Sequence, residues 1–205
     1  MDSLPFSPAA DNNRGPILTE LRRLLADSAS VVEVGAGTGQ HAQYFAHHLP
    51  HLTWQPTEHP GALATLMPRC AAAGLANLAP PRPLDIAARP WLTPDWWPDA
   101  IYTANTLHIV SEALVRRFFE TCAERGRDGS RIIVYGPFNY DGRFTSESNE
   151  RFDAWLKARD PDSGIRDFEW VTELAAQGSY RLEADRAMPA NNRLLCWRRG
   201  ADTAD

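Results

Sequence analysis

The segment Gly35-Ala36-Gly37-Thr38-Gly39 constrains this chain more than any other. It stands between the β-branched run Val31-Val32-Glu33-Val34 and a stretch from His41 to His48 that reads as a helix stopped by Pro50. Strand, glycine turn and helix in that order belong to sheets wound with helices on both faces, which bind ligands at the carboxyl ends of their strands. Glycines let the backbone turn sharply and approach a ligand closely. The helix N-terminus adds free amides and a partial positive charge.

The rest of the pattern agrees. Ile17, Leu18, Leu21, Leu24 and Leu25 recur at helical spacing opposite Glu20, Arg22 and Arg23. Residues 1–16, rich in Pro, Asn and Asp, read as an irregular arm. Further strands are expected at 52–56, 100–104 and 131–135. Further helices are expected at 62–73 (closed by Gly74), 112–125 (capped by Ser111), 149–158 and 168–177. Between 79 and 98 repeated prolines obscure a strand that ends near Leu84-Asp85-Ile86. Two β-like stretches, 180–187 and 193–198, flank Met188-Pro189-Ala190-Asn191-Asn192 and predict a hairpin, so one sheet edge should be antiparallel. The expectation is one doubly wound α/β domain over 17–200. The arm, 1–16, would be able to act as a lid, and a disordered tail, 201–205, would follow.

Composition narrows the function classes. The chain has 205 residues, 43% hydrophobic and 23% charged, which suits one globular domain with a sizeable core. A net charge of −5 without a long basic run argues against a nonspecific grip on nucleic acid. Arg193, Arg198 and Arg199 read as a solvated edge strand. Cys70, Cys122 and Cys196 are widely spaced and form no CxxC pair, against a disulfide framework or a zinc site. His47, His48 and His51 lack an organised carboxylate partner, so no metal is expected. Trp91, Trp96 and Trp97 are expected to cover a core edge. With no signal-like or membrane-length segment, the cytosol is the expected compartment, and neither membrane nor nucleic acid is an expected partner.

Two ligand classes use such a glycine turn. A dinucleotide loop wants a third glycine at position 40, which is Gln40. A methyl-donor loop wants an acidic residue two places before the first glycine and then G-x-G-x-G, which Glu33, Gly35, Gly37 and Gly39 provide, with Ala36 and Thr38 between them. A carboxylate opposes an anionic pyrophosphate but favours the sulfonium and ammonium of S-adenosylmethionine. Glu58, after the second strand, is placed to hold a ribose diol. Asp85 is placed to accept from the adenine amine, with Ile86 against the ring. Asn105-Thr106-Leu107-His108 follows the fourth strand, where Asn105 would meet the methionine part, Leu107 would also contact the donor and His108 would face the acceptor.

With these residues assembled, the chain resembles the class I S-adenosylmethionine-dependent methyltransferases. More closely, it is similar to a small family of methyltransferase-like proteins of unassigned substrate found in bacteria and animals. The resemblance rests on Ser7-Pro8-Ala9-Ala10 with Arg14 and Pro16-Ile17-Leu18, on 32–41, on Trp54-Gln55-Pro56-Thr57-Glu58, on 105–109, on Tyr135-Gly136-Pro137-Phe138 and on 188–192. It implies a seven-stranded sheet with an antiparallel last strand, and it supplies no acceptor. The expected reaction is methyl transfer from S-adenosylmethionine to a small-molecule acceptor, leaving S-adenosylhomocysteine. His108 is the first candidate base, with Tyr135 and Tyr140 behind it. Arg14 is expected to pair with the donor carboxylate. The aromatic loop with Phe138, Tyr140 and Phe144 is expected to form the acceptor wall. Two other readings are a catalytically silent donor-binding protein and a nicotinamide-dependent oxidoreductase, the latter opposed by Gln40 and Glu33.

Overall fold

The computed structural model describes residues 4–89, 91 and 97–200. Trp96 and the 201–205 tail lie outside the described residues. A seven-stranded sheet carries the order β3-β2-β1-β4-β5-β9-β8, with β1 Ser30–Val34, β2 Thr53–Glu58, β3 Arg82–Pro83, β4 Ala100–Ala104, β5 Arg131–Gly136, β8 Tyr180–Met188 and β9 Asn192–Arg199. A separate two-stranded pair joins β6 Phe138–Asn139 to β7 Arg166–Asp167. The chain divides into two compact units, residues 1–85 with 98–103 and residues 86–97 with 104–205.

In the first unit β1 runs parallel to both neighbours, with Val32 opposite Gln55 on one side and Ile101 on the other. Strands covered on both faces are largely apolar, and Val31, Val32, Val34, Trp54, Ala100, Ile101 and Tyr102 are all buried, with Glu33, Gln55 and Thr57 the buried polar exceptions. The first helix, α1 Pro8–Leu24, begins well before the expected Ile17. Ser7 caps it by accepting from the Ala10 amide, and Pro8 occupies the first turn, where a missing N–H costs nothing. The arm expected over 1–16 is therefore helical from residue 8 onward. Asn13 looks misplaced on the buried face but is satisfied there: its Oδ1 lies 2.6 Å from His41 Nε2. Helices α2 Gln40–His48 and α3 Leu63–Ala72 complete the unit. The obscured strand proves to be only Arg82–Pro83, parallel to the end of β2.

The second unit holds α4 Glu112–Arg125, α5 Glu147–Arg159, α6 Phe168–Gln177 and the C-terminal strands. β9 is antiparallel to both β5 and β8 and lies between them. This corrects the edge-strand reading of Arg193, Arg198 and Arg199. β9 is interior, the edge is β8, and Arg193 and Arg199 are engaged with Asp185 and the Ala123 carbonyl respectively. Trp91 does cover a core edge, stacked on Phe118 at 5.7 Å. Cys70, Cys122 and Cys196 form no disulfide among the described residues. Among the described residues no helix is long and apolar enough to cross a membrane.

Candidate functional site

In the first unit the glycine turn leaves β1 and enters α2. Gly35, Gly37 and Gly39 all take positive φ, between 58° and 75°. The loop is pinned at Ala36, whose amide donates to the Thr57 carbonyl (2.9 Å), and at Gly37, whose amide donates to Glu58 Oε2 (2.6 Å). Two of the glycines differ in what surrounds them. A Cβ on Gly37 would meet nothing within 4 Å, whereas one on Gly39 would stand 2.9 Å from Leu66 Cδ1. Gly37 thus borders open space and Gly39 is packed against α3.

Glu58 Oε1 accepts from the His59 amide at 2.8 Å, so each carboxylate oxygen takes one N–H and keeps further acceptor capacity. Glu33 is buried beneath the loop, where Trp54 Nε1–H donates to it at 2.8 Å. Burial, the largest influence, pushes its carboxyl up to about 8; the Trp54 hydrogen bond opposes the rise and the negative Glu58 adds to it. A cation brought beside such an acid favours its ionised form and draws its titration back down.

Gln40, which breaks the dinucleotide pattern, has a role of its own. Its side-chain amide accepts from the Ser7 N–H and donates to the Ser7 carbonyl, reading the backbone of the segment before α1. Arg69 strengthens the same join by donating to the carbonyls of Pro5 (2.6 Å) and Thr38 (3.0 Å). Position 40 was legible only as a departure from the dinucleotide pattern; its bond to Ser7 depends on a fold that brings residues 7 and 40 together. Arg14 pairs with Asp11 at 3.0 Å and lies over the Tyr44 ring at 4.8 Å, lining a concavity with Gln43 and His47. Asp85 follows β3, half-buried, just after Leu84, whose amide donates to the Glu58 carbonyl. Ile86, the first residue of the second unit, is buried.

In the second unit, Asn105 has φ 57° and donates its amide to the Tyr135 carbonyl at 2.8 Å. Leu107 and His108 are buried. Arg166, missed by sequence reasoning because it lies far along the chain, braces this loop. Its guanidinium donates to the carbonyls of Leu107 (3.0 Å) and Val110 (2.6 Å). His108 packs edge-on against Phe152, and burial, reinforced by the Arg166 charge, lowers its imidazole to about 4, so it is neutral at neutral pH. Tyr135 and Phe138 are buried; Phe144 is exposed. Tyr140 hydrogen-bonds Asp185 at 2.9 Å and stacks on Phe168. Burial raises the Tyr140 phenol above its ordinary range. No cluster of three or more His, Cys, Asp or Glu able to hold a metal occurs among the described residues.

Residues 4–199 match the model of a family described as "Protein of unknown function (DUF938)". Solved structures share the fold. An O-methyltransferase family protein from Burkholderia thailandensis superposes with TM-score 0.79 at 15% identity, over 92% of this chain and 56% of that one. An O-methyltransferase family 2 protein from Planctomyces limnophilus, in complex with apigenin, gives 0.77 at 14% identity, over 93% and 57%. Human N-acetylserotonin methyltransferase, in complex with S-adenosylmethionine, gives 0.71 at 14% identity, over 94% and 58%. The chain therefore spans a little over half the length of these structures. The likeness is one of fold: the seven-stranded, mostly parallel sheet of the class I methyltransferases.

Proposed function

The chain belongs to the family described as Protein of unknown function (DUF938), and we propose that it is an S-adenosylmethionine-dependent methyltransferase acting on a small molecule. One arrangement carries the reading: the buried carboxyl of Glu33 under the glycine turn, with Glu58 hydrogen-bonded to the Gly37 amide at 2.6 Å. The residues suit the donor. The space over Gly37 is open to it, Glu58 has acceptor capacity for a diol, and the donor's positive groups would favour the ionised form of Glu33. Asp85 with Ile86 would serve the adenine, and Asn105 with Leu107 the methionine part. When bound, the donor supplies a methyl group already activated by its sulfonium.

What the chain adds is alignment and exclusion of water. His108, neutral and buried, is the group available to take a proton from the acceptor. Calorimetry with S-adenosylmethionine, with NAD as the comparison, tests the assignment. Wild type should bind the methyl donor and not the dinucleotide, and Gly37→Asp should abolish binding. Absence of donor binding at about 1 mM, a free energy near −4 kcal/mol, would remove the central claim. Donor binding without transfer of labelled methyl to any component of a metabolite extract would instead favour the silent donor-binding protein.

A further inference from the structure

The second unit contains a concavity of about 410 Å³ whose lining includes Tyr140, Thr145, Met188, Asn191, Asn192 and Arg193. Strand register fixes where it lies. Arg193 pairs with Gly136, the last residue of β5, and Met188 pairs with Asn192 at the mouth of the hairpin. The concavity is thus at the carboxyl end of β5, the end at which wound sheets bind ligands. Gly136 also adjoins His108: a Cβ there would stand 3.5 Å from His108 Nδ1.

Arg193 is the one charged side chain among these six, and it is held from behind. Its Nε and Nη2 converge on Asp185 Oδ1 at 2.7 and 2.6 Å, while the Tyr140 hydroxyl donates to Asp185 Oδ2. The guanidinium lies over the Tyr140 ring at 5.5 Å, and that ring is itself stacked on Phe168 at 4.8 Å. Only part of a guanidinium's five N–H donors is spent on Asp185, and the Arg193 side chain keeps 27% exposure. Arg193 thus lines the concavity while Asp185 and Tyr140 hold it from their side. The hairpin turn beside it is strained, with φ of 58° at Ala190 and 57° at Asn191. Helix α5 holds it there: Asn149 Nδ2 donates to the Asn191 carbonyl at 3.1 Å, and Asn191 Nδ2 donates to Ser148 Oγ at 3.0 Å. Strain maintained by outside anchors gathers at functional sites.

We propose that this concavity is the acceptor site, and that the acceptor is a small carboxylic acid whose carboxylate docks on the remaining N–H groups of Arg193. The inference rests on the methyltransferase reading. The volume suits a metabolite rather than a polymer. One negative charge fits better than two, because Asp185 stands behind the guanidinium and repels a dianion such as a phosphate monoester. Met188 supplies apolar contact for the body of the molecule.

Methionine-methyl NMR tests this on the intact chain, which has three methionines, Met1, Met67 and Met188. Met188→Leu assigns the reporter signal. Benzoate is titrated against its neutral counterpart benzamide, with and without S-adenosylhomocysteine. Benzoate should shift the Met188 methyl saturably and leave Met67 in place, with benzamide at least about tenfold weaker, a difference of roughly 1.4 kcal/mol. Arg193→Gln should erase that preference. Should that variant not fold, the wild-type comparison still decides. Equal shifts by the two compounds, or none at about 20 mM, a concentration that detects even millimolar affinity, overturn the proposal. Donor binding without a carboxylate preference defeats this inference alone. A carboxylate preference without donor binding defeats the methyltransferase reading and leaves an anion site.

Discussion

At the scale of single residues, Gly37 and Gly39 look interchangeable in the sequence and are not. Both hold positive φ, but only at Gly39 would a Cβ collide, with the core side chain of Leu66. Gly37→Ala should therefore cost only the left-handed penalty, about 1 kcal/mol of stability, yet weaken the methyl donor at least tenfold by filling the space over the loop. Gly39→Ala should cost more stability, about 2–4 kcal/mol, because overpacking adds to the backbone strain. Urea titration and calorimetry on the pair separate the two effects; equal stability losses would contradict the packing argument. Glu58→Ala should weaken donor binding by about 1–3 kcal/mol, the cost of leaving hydroxyls unpaired; unchanged affinity would take Glu58 out of the ribose role. The glycine turn, Glu33 and Glu58 were legible because local spacing alone places them. Arg166 and Asp185 were not: Arg166 braces carbonyls far back in the chain, and Asp185 meets Arg193 only through the hairpin register and Tyr140 only through the fold, which no local pattern marks.

At the scale of elements, periodicity located the helices from Glu112 and Phe168 to within a residue, because each buries one continuous apolar stripe. It failed at α1. There the prolines at 8 and 16 and the Asn-Asn pair suggested irregular chain, but Pro8 falls in the first turn and Asn13 is satisfied by His41. It failed again at β6 and β7, two residues each, too short for any alternation to show. The hairpin was legible as a turn but not as a strained one. Ala190 holds a conformation that glycine takes freely, so Ala190→Gly should raise stability by about 0.5–1 kcal/mol in chemical denaturation. If the strain serves the neighbouring concavity, the same change should loosen benzoate binding. A loss of stability would show that Ala190 is held by packing instead.

At the scale of the whole molecule, three buried titratable groups set the pH dependence of stability. His41 and His108 are both lowered to about 4, chiefly by burial. Each contributes stability that is present above the unfolded value of 6.5 and is lost as pH falls toward 4. Glu33 has the opposite sign. Its carboxyl, raised from 4.5 to about 8, favours the fold at low pH, and that contribution is lost as pH rises through this interval. Together they place the maximum near pH 6.5, with slopes of at most about 1.4 kcal/mol per pH unit on either side. Melting temperature against pH should show this maximum, and Glu33→Gln should remove the decline above it; a decline that survives the substitution would assign it to another group. The interior position of β9 has a further consequence, for self-association. A sheet is exposed to pairing with other chains only at its outermost strands. One of these, β3, is two residues long and ends in Pro83. The other, β8, is bent by an irregularity between Leu182 and Ala184 and carries Arg181, Glu183 and Arg186. The apolar hairpin strand that would template a fibril most readily, Leu194 to Trp197, is the one the topology hides between two partners.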